Sequence, residues 1–222
     1  MFANFGGFDK KEYCMKTLLF FMGVGLTLNS LAGWEYDSTA NTITDGSWVL
    51  NVRSVTGGLE IGKSDQSEDG FNAQNQGSGV LNLTDFYADT GFKIVSIKRN
   101  ALRPANDSTI VLTSLIAPDV TSIGDHAFRD RKTLQDVTIS PEVDGLGESA
   151  FYGCSALTNI SPRTFNKITQ VKTQLFYGCS ALDGELSFPE AISLGSRSFY
   201  NTAVLDKISV SSKLEAIYSE CL

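Results

Sequence analysis

The stretch Leu146-Gly147-Glu148-Ser149-Ala150-Phe151-Tyr152-Gly153-Cys154-Ser155-Ala156-Leu157-Thr158-Asn159-Ile160 holds the pattern on which this chain is built. Phe151 stands 23 residues after Phe128 and 25 before Phe176, and Phe199 follows after another 23. Five positions before each ring lies an aliphatic residue: Ile123, Leu146, Val171 and Leu194. Eight positions before lie Val120, Val143, Ile168 and Ala191; six after lie Leu134, Leu157, Leu182 and Leu205. One more step of 23 reaches Leu222, with Ile217 and Leu214 at the same offsets. Apolar residues at fixed offsets in a period near 23 mark a solenoid, in which no single coil can bury its apolar face alone.

Working outward, the segment after each leucine alternates: Val137/Ile139, Leu186/Phe188 and Ile208/Val210, with Ile160 alone in its unit. Period two predicts short strands that stack as a parallel sheet along one face. Pro141, Pro162 and Pro189 follow or close these strands, where a missing N–H costs least. The Ala-Phe segment is expected to turn on the opposite side. Upstream, Val80-Leu81-Asn82-Leu83 and Ile94-Val95-Ser96-Ile97 read as strands. Ala101-Leu102 then repeats the frame with Leu102 in the phenylalanine slot, a divergent first unit whose return is lengthened through 103–109.

Ile123-Gly124-Asp125-His126-Ala127-Phe128, the quoted stretch and Phe176-Tyr177-Gly178-Cys179-Ser180-Ala181-Leu182 together resemble the BspA-type leucine-rich repeat family. Departures are Lys172 and Tyr218 for the glycine, Leu175 for the alanine, and Arg131 and Thr202 for the cysteine. The resemblance implies an α/β-type, β-dominated solenoid: a leucine-rich-repeat right-handed coil with a parallel β-sheet face and an irregular β cap. It also implies a surface-exposed protein used for adhesion or binding; no cofactor is expected.

Met15-Lys16, an apolar run over 17–28 and Asn29-Ser30-Leu31-Ala32 have the form of a secretory signal peptide. Residues 1–32 are read as that peptide, with Met15 as the true start and cleavage after Ala32. The apolar run is too short to span a bilayer comfortably, so no membrane span is expected in the mature chain, which is placed outside the cell or on its surface. A formal charge of −7 without Lys/Arg clusters argues against nucleic acid as a partner. Residues 33–80 read as a β-rich N-terminal cap: Trp34-Glu35-Tyr36-Asp37, Thr42-Ile43-Thr44, Ser47-Trp48-Val49-Leu50-Asn51-Val52 and Gly58-Leu59-Glu60-Ile61 are short strands parted by turn residues. Trp34 and Trp48 are expected to pack in that cap, with sugar stacking as the alternative. Residues 81–222 read as the solenoid, which stops at a phenylalanine slot and is taken as incomplete at its C-terminus.

Asp65, Ser67 and Asp69 before Gly70 alternate as in a calcium loop, but Gln76 stands where the bidentate Glu belongs. The segment is read as a solvated loop, and no metal is assigned. His126 is the single histidine. Its place between Gly124 and Ala127 makes it a turn residue rather than a general base or zinc ligand, and no catalytic residue is assigned. Cys154 and Cys179 fill the same slot in adjacent units, one rung apart and within disulfide range of each other's Cα. Parallel side chains pointing into a core rarely reach the disulfide dihedral, so buried free thiols are expected, with a bridge as the alternative.

Outward strand positions form the candidate binding face: Gln135, Asp136 and Thr138; Thr158, Asn159 and Ser161; Glu185 and Ser187; Asp206, Lys207 and Ser209. Small, polar and mixed in sign, they suit an extended hydrogen-bonding surface for an extracellular protein or glycan. Tyr152, Tyr177 and Tyr200 line another face. The function expected is non-enzymatic adhesion or protein binding at the cell surface. The alternatives are a structural spacer within a larger surface protein, or a carbohydrate-binding module.

Overall fold

The computed structural model describes residues 33–62, 70–71, 75, 77–104 and 110–222. The signal-peptide segment 1–32, the loop acids Asp65 and Asp69, and Ser67 lie outside the described residues. The chain enters as an antiparallel meander of β1 (Glu35–Asp37), β2 (Thr42–Thr44), β3 (Val49–Val55) and β4 (Gly58–Ile61). The turn between β3 and β4 carries Gly57 at φ 90, a backbone open to glycine at little steric cost. Ile43, Leu50, Val52, Leu59 and Ile61 alternate into the interior and are fully buried.

From β4 onward the pairing becomes parallel. A narrow sheet runs β4, β6 (Ile94–Ile97), β8 (Ser122–Ile123) and β10 (Gly145–Leu146), and is continued by β12 (Gln170–Val171), β14 (Ser193–Leu194) and β16 (Ala216–Ile217). A wide sheet runs β5 (Gly79–Asn82), β7 (Leu112–Ala117), β9 (Asp136–Ile139) and β11 (Asn159–Ser161), followed by the pair β13 (Gly184–Phe188) and β15 (Leu205–Val210). The fold is therefore a parallel β-solenoid with little helix; among the described residues the one helix, α1 (Phe86–Thr90), ends at left-handed Gly91. Strands occupy two faces rather than the single one expected. The aliphatic residue five before each phenylalanine is itself half of a two-residue strand, too short to show alternation.

Both sheets break between the coils of Phe151 and Phe176, where the period lengthens to 25. The turn edge does not break. Phe128 N–H donates to Ala150 at 2.8 Å, Phe151 to Leu175 at 3.0 Å, Phe176 to Ser198 at 2.8 Å and Phe199 to Cys221 at 2.8 Å. Just inside that spine the four rings stand in file, with centroids 5.3, 5.4 and 5.8 Å apart and every ring at most 2% exposed. A second file, Phe165 on Phe188 at 4.9 Å, restores the packing where the extra residues interrupt the wide sheet.

Each turn is held by left-handed residues at fixed places. His126, Ser149, Gln174, Arg197 and Glu220 have φ between 53 and 57, in the slot two before the phenylalanine or, for Glu220, before Leu222. Such a conformation costs a non-glycine residue about 1–2 kcal/mol, which stacking on the next coil offsets. Gly147 is required for another reason: a Cβ there would lie 2.3 Å from the Asp125 nitrogen of the preceding coil.

The leading strands close the first coil. Trp34 and Trp48 are 7% and 3% exposed, and their indole N–H groups donate to the carbonyls of Asn82 and Val80, each at 2.9 Å. Those carbonyls belong to β5, the edge of the wide sheet, so two acceptors that would otherwise template a further strand are occupied. Trp34 also packs edge-on against Phe86 of α1, and Trp48 stacks with Phe71. Sugar stacking by either indole is overturned by this burial.

Candidate binding face

The wide sheet brings most of the candidate residues into rows. Ser114, Asp136 and Asn159 are register partners, as are Ile116, Thr138 and Ser161. Beyond the break, Glu185 pairs with Lys207 and Ser187 with Ser209. Between these outward rows Leu115, Val137, Ile160 and Leu186 point inward and are fully buried, so alternation anchors one side of each strand and bares the other. Gln135 and Thr158 sit exposed just before their strands. Asp206 occupies the extra position where the β13–β15 register shifts.

Several of these side chains already have partners. Thr158 Oγ1 donates to the Gln135 carbonyl at 3.1 Å, and Lys207 Nζ lies 3.2 Å from Glu185 Oε2. With 58% and 61% of those two side chains exposed, that pair contributes at most about 1 kcal/mol. Asn159 Oδ1 accepts from Arg163 Nε at 3.3 Å and Nη2 at 3.1 Å. The same guanidinium reaches the Thr158 carbonyl at 3.2 Å, the Asp183 carbonyl, and Asp183 Oδ1 at 3.4 Å. Arg163 thus straps the two halves of the wide sheet across their break, a planar fork serving several acceptors at once. Sequence reasoning did not single it out; the two extra residues in that coil were the available signal.

Cys154, Cys179, Arg131 and His126 make contacts within the solenoid. Cys154 and Cys179 are free and buried, donating to the Phe128 and Phe151 carbonyls at 3.1 Å each. Burial pushes both thiols well above the ordinary range. Arg131 fills the equivalent slot one coil earlier at 2% exposure. Its Nε and Nη1 donate to Leu102 and Ile110 carbonyls at 2.8 Å, and burial lowers its pKa to about 10. His126 is held in its turn by a 2.8 Å bond to the Glu148 carbonyl; burial first, then the charges of Arg129 and Arg99, lowers its pKa. Among the described residues no group of three His, Cys, Asp or Glu is placed to hold a metal ion.

A family model described as a BspA type leucine rich repeat region, in six copies, matches residues 96–222. The chain belongs to that family. Among solved structures the BspA-type solenoid is similar to a leucine rich cell surface protein from Faecalibacterium prausnitzii A2-165. The TM-score is 0.57 at 21% identity, covering 82% of this chain and 45% of that one, a likeness of fold. It also matches the pneumococcal vaccine antigen PcpA with a TM-score of 0.47 at 17% identity, covering 83% of this chain and 51% of that one. The chain thus spans about half the length of either structure. No curated protein matches the sequence. Among the described residues no helix is long and apolar enough to cross a membrane.

Proposed function

We propose that this BspA-type protein is exported through the segment 1–32 and displayed at the cell surface, where the outward rows of the wide sheet bind a protein of the extracellular environment. The observation that carries this reading is the in-register array of Asp136, Thr138, Asn159, Ser161, Ser187 and Ser209, short polar side chains over a fully buried floor. Short side chains lose little rotamer entropy when covered, and a rigid floor holds them in place, which favours binding by preorganisation. The family membership and the surface location named for the Faecalibacterium structure support the same reading. Gln135, Thr158, Glu185, Asp206 and Lys207 form the rim in this view, setting orientation more than affinity.

The test is a capture experiment from solubilised extracellular matrix. The wild type is compared with a variant carrying Thr138→Arg, Ser161→Arg and Ser209→Arg, three bulky charges on outward positions. The wild type retains matrix protein and the variant loses at least about tenfold of that binding at an unchanged unfolding midpoint. Equal retention by the two would move the interface off this sheet. Export is checked separately: the mature N-terminus read from culture supernatant is Gly33.

A further inference from the structure

Tyr152, Tyr177 and Tyr200 each follow a core phenylalanine directly, and their rings form a file of their own on the turn edge. Centroids are 4.6 Å apart at 3° and 5.3 Å apart at 17°. Tyr177 has both faces covered by its neighbours, and the face of Tyr152 away from Tyr177 is covered by the Arg129 guanidinium, 4.3 Å from the ring centre. Tyr152 and Tyr177, half-buried and covered on both faces, show solvent their edges rather than their faces, and none of the three phenol oxygens is a buried unpartnered atom. Packing alone does not ask for those hydroxyls. The adjacent residue in every coil makes the same stack with phenylalanine, and among the described residues none of the three phenols has a hydrogen-bond partner.

We infer that this ladder is a second binding site, for an uncharged, extended, equatorially linked glycan that lies along the solenoid and hydrogen-bonds one sugar ring per rung. Three features select that ligand. A phenol both donates and accepts, as does each sugar hydroxyl, so every contact can be satisfied in either sense. The rung spacing matches the advance of one pyranose in a chain linked equatorially at both ends. An extended peptide advances about 3.2–3.4 Å per residue and falls out of step with the rungs. The net charge of −7 repels polyanions at long range, and the Arg129 guanidinium over Tyr152 repels a cationic chain at the ladder itself, so an uncharged chain is the ligand favoured. The site lies on the turn edge rather than on the wide sheet, so it stands independently of the protein-binding reading.

The experiment is isothermal titration of the purified protein with cellohexaose and with chitohexaose. It is repeated on the triple variant Tyr152→Phe, Tyr177→Phe, Tyr200→Phe, which keeps every ring and removes only the hydroxyls. Saturable binding of at least one hexasaccharide is expected, weakened about tenfold or more in the triple variant at an unchanged thermal midpoint. The wide-sheet variant T138R/S161R/S209R binds the sugar as the wild type does. The inference is overturned if the wild type binds neither sugar, or if the triple variant binds as well as the wild type. It is equally overturned if the phenols prove necessary only for capture of a protein.

Discussion

Phe151→Ala tests the file of rings most directly. Phe151 is fully buried and stacked on both sides, 5.3 Å from Phe128 at 3° and 5.4 Å from Phe176 at 6°. Truncation removes the ring's transfer energy, leaves a cavity and breaks two aromatic contacts, a combined loss of about 4 kcal/mol. In a chain of this length that lowers the thermal midpoint by about 8–16 °C. Phe199 supplies an internal control. Its two ring contacts are looser, a 5.8 Å stack on Phe176 and a 6.0 Å edge-on contact with Phe188, so Phe199→Ala costs less. Urea unfolding followed by far-UV circular dichroism reads all coils together. Tryptophan fluorescence reads the cap alone among the described residues, because Trp34 and Trp48 both lie there. A loss below about 1 kcal/mol for Phe151→Ala, or equal losses at both positions, would refute the reasoning.

Gly147→Ala places a methyl 2.3 Å from the Asp125 nitrogen and 2.4 Å from the Gly124 carbonyl carbon. It should destabilise by about 2–3 kcal/mol in the same urea assay, since backbone cannot swing aside. Trp48→Phe keeps a ring but leaves the Val80 carbonyl without its 2.9 Å donor; a loss of about 1 kcal/mol or more is expected by calorimetry. The raised pKa values of Cys154 and Cys179 favour the protonated thiol in the folded state. Above the ordinary thiol value of 9.0 the unfolded chain gives up protons that the folded chain keeps. Stability therefore falls as pH rises past that point. Urea midpoints at pH 8 and pH 10 show this decline, and it shrinks in Cys154→Ala/Cys179→Ala. A thiol reagent that labels the native protein as fast as the unfolded one would contradict the burial.

The parts of this fold written in side-chain pattern were legible. Phe128, Phe151, Phe176 and Phe199 recur in register, and the inward residues Val137, Ile139, Leu186 and Phe188 alternate, because burial in a repeating coil demands the same residue type at the same offset. The parts fixed by backbone were not. A two-residue strand such as Gly145–Leu146 spans a single cycle of alternation with no repeat, so the narrow sheet leaves no trace of its period. Left-handed turns at His126 and Ser149 carry no glycine to announce them. On the candidate face, alternation told which residues point outward, but not that Arg163 would claim Asn159. That contact depends on how a two-residue insertion is absorbed, which no local pattern encodes. The indole–carbonyl closure of β5 joins residues 32 and 48 positions apart, and the tryptophans announced burial without naming their acceptors.

Stacked rungs also set how the solenoid answers tension. Load applied along the stacking direction falls on one row of peptide hydrogen bonds at a time, so coils peel off singly rather than the whole unit giving way. Each released coil of 23 residues pays out about 75–80 Å of slack. Under a sudden pull the solenoid would lengthen in steps, and the rungs still stacked would keep their hydrogen bonds.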